Sequence, residues 1–523
     1  MKGYLAIVLH SHLPYVRHPE YDDFLEEDWL YEAMTETYLP LLDVFTRLIS
    51  DGIDFNITMS LTPTLLEMLG DGLLMERYGG HLSKLIELSE KELVRTRGDP
   101  AINALAGMYH DRFLHYRDMF EDRYDGNIIA GFREIMDTGA LELVTCAATH
   151  AYLPLLVDGF WQDVQVHVGA DTHLRHLGSR PEGIWLPENA YTEGIDEILA
   201  RHGIKYTFLD AHGLLNAPII PTYGVYAPIT SEAGVSFFGR DMQSAKQVWS
   251  AKEGYPGDND YREFYRDVGY DLDFEYVRPY LHSDGSRSNL GIKYYRITGE
   301  TDRKQPYVPQ WAMGKVDGHA GNFVLNRGKQ VEYLSGIMDR KPIVVAAYDA
   351  ELFGHWWFEG PEFLEQVFRK LHAIDGPVKA ATPRQYLDEY PDNQVTQPAQ
   401  SSWGDKGYNE VWLNGTNDWI YRHIHIAQDR MKEMLHLPAV SPEQRRAINQ
   451  ALRELLLAQS SDWPFIMNSG TMVGYAKKRF ISHVSRLTSL YDQIRHNRVD
   501  QAFLDDIESK DNAFQWLDYR NYV

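Results

Sequence analysis

Seven apolar runs of strand length recur along the chain, and each closes on polar or charged residues. They are YLAIVLHSH (4–12), FNITMSLTP (55–63), LELVTCAATH (141–150), GIWLPEN (183–189), KYTFLD (205–210), GVSFFGRD (234–241) and PIVVAAYDAE (342–351). Helical patterns such as 39–51 and 192–202 lie between several of them. Strands alternating with helices predict βα units around a parallel sheet. The polar ends fall at the C-terminal tips of the runs, where βα barrels build their active sites.

The alternation is interrupted twice. Residues 64–135 are helix-rich with no convincing strand, which predicts a helical insertion between the second and third strands. Residues 242–290 are rich in Tyr, Asp and Gly, predicting long loops with short helices, a common carrier of substrate contacts. After DEYPDNQVTQPAQSS (388–402) the pattern becomes helical to the end, with Ser441-Pro442 followed by Glu443 and Gln444 as a helix start signal. A chain of 523 residues exceeds one compact core. We expect an α/β catalytic part over 1–400, the insertion at 64–135 within it, and a helical C-terminal domain over 401–523.

Composition narrows the partners. A net charge of −24 argues against nucleic acid or an anionic membrane, both of which require a basic footprint. It is compatible with a neutral glucan. The lone cysteine, Cys146, excludes an internal disulfide, fits a reducing compartment and reads as a small buried hydrophobe. MKGYLAIVLHSHLPYV has about seven apolar residues before two histidines, so it reads as a first strand rather than a signal peptide. No run of about 20 apolar residues is present. These features predict a cytoplasmic protein.

The chemistry concentrates in a few strings. Glu188 ends GIWLPEN, and Asp349 follows six apolar or aromatic residues, 343–348. Desolvation there raises a carboxyl pKa unless the group is paired, which suits a general acid near neutrality. Glu351, two residues on, shares the face of Asp349, and spacing does not choose between them. Two carboxyls are the minimum machinery for cleaving a glycosidic bond. His10 and His12 project from one face of a strand, and His150 closes another, as ligands for sugar hydroxyls or for a metal. Further binding candidates are Arg240 at the end of the sixth run, His355 and Trp357 in the cluster HWWF, Trp403 and Trp412 near the helical boundary, and Asp462 in SSDWPFIM. The 13% aromatic content is mostly core, with a minority free to stack on sugar rings.

With those residues in view, the chain resembles glycoside hydrolase family 57. The resemblance is carried by HSHLPYV (10–16), LVTCAATHAYLPLL (143–156), GIWLPENAY (183–191), YDAELFGHWWFEG (348–360) and SSDWPFIM (460–467), in the family's order. It implies an incomplete (β/α)7 barrel, a retaining mechanism, α-1,4-glucan substrates, and neither metal nor cofactor. By the same match Glu188 is the nucleophile and Asp349 the general acid/base, roughly 5–5.5 Å apart. His10, His12, His150, Trp403, Trp412 and Asp462 fall at binding positions. The helical C-terminus is similar to that of the branching-enzyme subgroup. Branching members carry a tyrosine on a flexible loop over the cleft. The loops available here are 227–235, without a tyrosine, and 239–257, whose only tyrosine is Tyr255. From the C-terminal resemblance the leading expectation is a 1,4-α-glucan branching enzyme, and the loops leave an α-amylase or 4-α-glucanotransferase on the same scaffold as its rival. A metal-dependent deacetylase or mannosidase and a non-catalytic glucan-binding relative are the readings from other classes.

Overall fold

The computed structural model describes residues 1–249, 254–437 and 441–522. Each predicted apolar run forms a strand: β1 (Gly3–Ser11), β2 (Ile57–Leu61), β3 (Leu141–Cys146), β4 (Gly183–Trp185), β5 (Tyr206–Leu209), β7 (Ser236–Gly239) and β8 (Ile343–Asp349). Three short strands were not legible in the pattern: β6 (Ile229–Thr230), β9 (Val378–Ala380) and β10 (Gln394–Val395). Two or three residues are too few to show a period.

The sheet order is β10-β6-β7-β5-β4-β3-β2-β1-β8, with β9 against β1. The seven from β7 to β8 run parallel. The two ends of this seven-strand arc meet at one parallel bridge, Arg240 to Val345, and Asp241 N–H donates to the Val345 carbonyl at 2.8 Å. This is the parallel βα sheet that the alternation predicted, curled into the incomplete barrel that the family resemblance implied.

Period-two alternation decides which residues fill it. Ala6, Val8, Val144, Cys146, Trp185, Tyr206, Phe208, Phe238, Val345 and Ala347 form one buried cluster inside the curl. Their neighbours Leu5, Ile7, Leu9, Val344 and Tyr348 belong to the larger core under the helices. Cys146 is one of the interior fillers and is free.

Helices Pro63–Leu69, Gly72–Arg95, Pro100–Asp118 and Ile128–Asp137 fill the interval between β2 and β3. Beyond the barrel, five helices run from Trp419 to Lys510. Ser441 caps Pro442–Ala458 with a reciprocal bond to Gln444, as its sequence signal predicted. This helical region is not a loose appendage. Backbone pairing of Ala151 with Ser460, and the Ser461 N–H to His150 carbonyl bond of 3.0 Å, dock it onto the end of β3. Among the described residues no helix is long and apolar enough to cross a membrane.

Candidate active site

The inward alternation that buries apolar side chains along each strand ends in polar ones at its C-terminal tip. On β1 the inward series Ala6, Val8 leads to His10, and on β8 Val345, Ala347 leads to Asp349. Register brings these ends level: His10 lies opposite both Ser60 and Asp349. On β7, Phe238 leads in the same way to Arg240. Trp185, beneath, stacks on the His10 imidazole at 4.7 Å. The result is a cleft of about 940 Å³ whose walls include His10, His12, His150, Glu188, Arg240, Asp349, Glu351 and Asp462.

Glu188 is placed by strained backbone. Its φ of 60° and ψ of 21° are left-handed, and Asn189 (φ 49°) and His150 (φ 54°) are too. Such conformations cost about 1–3 kcal/mol each and persist only where the surroundings enforce them. Here the segment 401–403 does so. Tyr191 bridges Ser401, and Trp403 N–H donates to the Glu188 carbonyl at 3.0 Å. The same tryptophan's indole N–H reaches Glu188 Oε2 at 2.8 Å, while Ser461 Oγ lies 3.3 Å from Oε1.

Burial pushes the Glu188 carboxyl up to about 7 against the Trp403 donor, with Asp349 and Asp462 adding to the rise. Burial likewise lifts Asp349 to about 6, opposed by Arg240 and His12. The two carboxyls repel each other's charge, so near neutrality they hold about one proton between them. Hydrogen bonds to the charged form select where it resides. Glu188 receives two donors that favour its ionised form, while the Arg240 cation beside Asp349 favours that of Asp349. One ionised and one protonated carboxyl is the arrangement a double displacement at a glycosidic carbon requires. Glu351 sits nearby, lifted to about 7 by burial, and accepts from Tyr38 Oη at 2.5 Å and His12 N–H at 3.3 Å. Those bonds turn it toward structure and leave Asp349 as the freer acid.

The histidines divide by their bonds. Both ring nitrogens of His10 are engaged, with Ser60 Oγ at 2.6 Å and His150 Nε2 at 3.0 Å. Those of His150 meet His10 and Ser461 Oγ at 2.8 Å. Burial, then the neighbouring histidines, hold both rings well below the ordinary value and therefore neutral. His12 Nδ1 meets Thr62 Oγ1 at 3.1 Å and its Nε2 meets Asp462 at 3.0 Å. Against the downward push of burial, Asp462 raises the His12 pKa. His355 Nδ1 lies 2.6 Å from Glu36 Oε2, on a π-helical turn, Met34–Tyr38. Gly354 permits this approach, since a Cβ there would lie 1.8 Å from the Glu36 carbonyl.

The tryptophans require one correction. Trp357, expected in the cleft, is 2% exposed and packs in the core on Phe363, Tyr261 and Phe353. Its neighbour Trp356 is 55% exposed, stacks on Phe264 at 4.5 Å and lines the cleft. After β8 the chain turns through Gly354, so strand alternation no longer says which of two adjacent rings faces out. Trp403 lines the cleft, whereas Trp412 borders it but is 1% exposed and stacks on Tyr152 at 4.4 Å, which places it behind the sugar-facing surface. Trp356→Ala is expected to raise the KM for glucan roughly 3- to 10-fold with the fold intact. Trp357→Ala is expected instead to cost about 3–5 kcal/mol of stability. Steady-state kinetics beside urea unfolding of the two variants separates them.

The sequence pattern gave no sign of Ser461, Glu36, Tyr38 or Phe465, the last a cleft-lining ring. Ser461 lies within SSDWPFIM, where Asp462 is the ionisable residue and a serine beside a helix start reads as a cap. Glu36 and Tyr38 lie on a helix more than 300 residues from their partners, where spacing carries no signal. Of the two loops considered, 227–235 carries β6, paired to β7. In the other, Tyr255 Oη donates to Asn322 at 2.7 Å and its ring stacks on His319, while Trp249 lines the cleft. Residues 250–253 of that loop lie outside the described residues.

Comparison with known proteins gives a consistent family. The model described as "Glycosyl hydrolase family 57" matches residues 6–328, and that described as "1,4-alpha-glucan branching enzyme, C-terminal" matches 423–522. The chain is 33% identical to a 1,4-alpha-glucan branching enzyme of Thermococcus kodakarensis, covering 100% of this chain and 79% of that protein. Among solved structures, the alpha-amylase AmyC of Thermotoga maritima is similar with 44% identity and a TM-score of 0.94, covering 100% of this chain and 99% of that one. A GH57-type branching enzyme of Pyrococcus horikoshii is similar with 32% identity and a TM-score of 0.89, covering 100% and 97%.

Proposed function

From the premise that the chain belongs to glycosyl hydrolase family 57, we propose that it is a retaining 1,4-α-glucan branching enzyme. The observation that carries the reading is the unequal pair at the cleft floor: Glu188 with two donors beside Asp349 under burial. Asp349 protonates the glycosidic oxygen while Glu188 attacks the anomeric carbon, giving a covalent glycosyl-enzyme. Asp349 then takes a proton from the acceptor. A 6-hydroxyl as acceptor makes an α-1,6 branch, and water makes a hydrolysis product. The helical C-terminus, similar to that of branching enzymes, supports transfer. His12, Asp462, His355, Trp356 and Trp403 serve as the sugar-facing wall with Trp412 buried behind it, and Arg240 stabilises the Asp349 carboxylate once its proton has been given up. The substrate is an α-glucan such as amylose, glycogen or starch, and a place in glycogen synthesis follows from that product. The free, buried Cys146 supports a reducing, cytoplasmic setting.

Two observations favour a second reading, α-amylase activity. The 44% identity to AmyC is higher than that to the branching enzymes, and Tyr255 is tied to Asn322 and His319. Linear amylose decides between them. A branching enzyme yields α-1,6 anomeric protons in excess of new reducing ends by NMR. Reducing ends without branch signals would establish hydrolysis and overturn the leading reading.

A further inference from the structure

Ser461 stands at the start of the helix Asp462–Ser469, where a serine ordinarily spends its hydroxyl on the free N–H groups of the first turn. It makes no such capping bond. Its Oγ lies instead between His150 Nδ1, at 2.8 Å, and Glu188 Oε1, at 3.3 Å. We propose that Ser461 is a positioning residue for the nucleophile: as the last link of a buried chain, Ser60–His10–His150–Ser461, it keeps Oε1 of Glu188 ionised and aimed. The C-terminal helical region thereby completes the catalytic carboxylate of the barrel. This rests on Glu188 being the nucleophile.

Donor counting gives the chain a direction. A hydroxyl has one hydrogen, so when Ser461 donates to the Glu188 carboxylate its oxygen must accept from His150 Nδ1–H. A neutral His150 then presents Nε2 as acceptor, and His10 Nε2–H donates to it across 3.0 Å. His10 Nδ1 is left to accept from Ser60 Oγ–H at 2.6 Å. All four links point toward Glu188. Ser60, His10, His150 and Ser461 are each at most 3% exposed, so water has little access to replace a missing donor. The Trp403 indole, a donor only, keeps Oε2 an acceptor as well.

The direct His150 Nδ1 to Glu188 Oε1 separation is 3.9 Å, too long for a hydrogen bond. The histidine pair therefore acts on the nucleophile through the serine. Other charged or titratable groups facing Glu188 come from every side of the cleft: Asp349 on β8, Asp462 beside Ser461, and His12 beyond β1. Cys146, at the end of β3, and Tyr152 face it as well. Those groups set a background that a change at Ser461 leaves in place. Because the hydroxyl makes no helix cap, its removal costs the helix no capping bond.

The test is the pH profile of kcat/KM on amylose for the full chain, wild type beside Ser461→Ala, Ser461→Thr and Glu188→Gln. Losing a donor to the ionised carboxylate raises its pKa. The acidic limb of Ser461→Ala is expected to move up by roughly one pH unit, about a tenfold loss on the acid side of the optimum and a smaller one above it. Ser461→Thr, which keeps the hydroxyl, is expected to restore the limb. A loss equal at every pH, or a threonine variant no better than alanine, would overturn the proposal. An active Glu188→Gln would instead remove the reading of Glu188 as nucleophile. Glu188→Gln inactive with an unmoved limb in Ser461→Ala would remove this inference alone.

Discussion

With Glu188 as the proposed nucleophile, Glu188→Gln is expected to lower turnover of amylose by roughly 10⁴- to 10⁶-fold, because an amide of the same size is a far weaker nucleophile than a carboxylate. Asp349→Ala is expected to cost less, about 10²- to 10⁴-fold, and to do so unevenly. A substrate with a good leaving group needs no proton, so its first displacement survives in Asp349→Ala and the glycosyl-enzyme accumulates. Azide separates the roles. In Asp349→Ala it attacks the glycosyl-enzyme, and two displacements return the starting anomeric configuration. In Glu188→Ala it attacks the substrate directly, and one displacement inverts it. Inverted product from the Asp349 variant, or no covalent intermediate by mass spectrometry, would reverse or reject the assignment. The wild-type profile should be a bell, since activity needs the pair to hold one proton. Its maximum is expected near neutrality, where carboxyls lifted to about 6 and about 7 lose their first proton but not their second.

The second large effect is on stability and comes from residues that do not line the cleft. In the C-terminal helices, Asp511, Glu454 and His483 are fully buried together. His483 Nδ1 is 2.7 Å from Glu454 and 3.5 Å from Asp511, and Arg479 reaches Asp511 at 3.0 Å. Arg486 pairs with the other Asp511 oxygen. The two arginines make Asp511 the ionised member, while burial and the Asp511 charge drive the Glu454 carboxyl up. Asp511→Ala leaves two guanidiniums without their anion and is expected to cost about 3–5 kcal/mol. Urea unfolding measures it, and a change under 1 kcal/mol would show that the cluster contributes little. Burial alone would raise the Asp511 pKa, but Arg479, His483 and Arg486 pull it below the unfolded value. A depressed pKa means the contribution is complete above the unfolded carboxylate range and lost as pH falls through the folded value. The difference between wild type and Asp511→Ala should therefore hold at mildly acidic pH and shrink only in strong acid.

Much of this molecule was written locally. Seven apolar runs became seven parallel strands, because burial on both faces of a barrel strand demands an unbroken apolar stretch of that length. The same rule exposed the site, since an acid ending such a stretch has to stand at the barrel mouth, and Glu188 and Asp349 do. The Ser441 cap was equally legible, being a contact between residues three apart. What the sequence could not determine depends on contacts across hundreds of positions. Alternation ends with the strand, so only the turn at Gly354 decided that Trp356 faces the cleft and Trp357 the core. Glu351, which spacing could not tell from Asp349, is held by Tyr38, a partner 313 residues away. Ser461 and Trp403 reach Glu188 because 460–461 and 401–403 pair with the ends of other segments. A periodic burial pattern is a property of one segment and survives in the sequence. A hydrogen bond between segments exists only once the chain has brought them together.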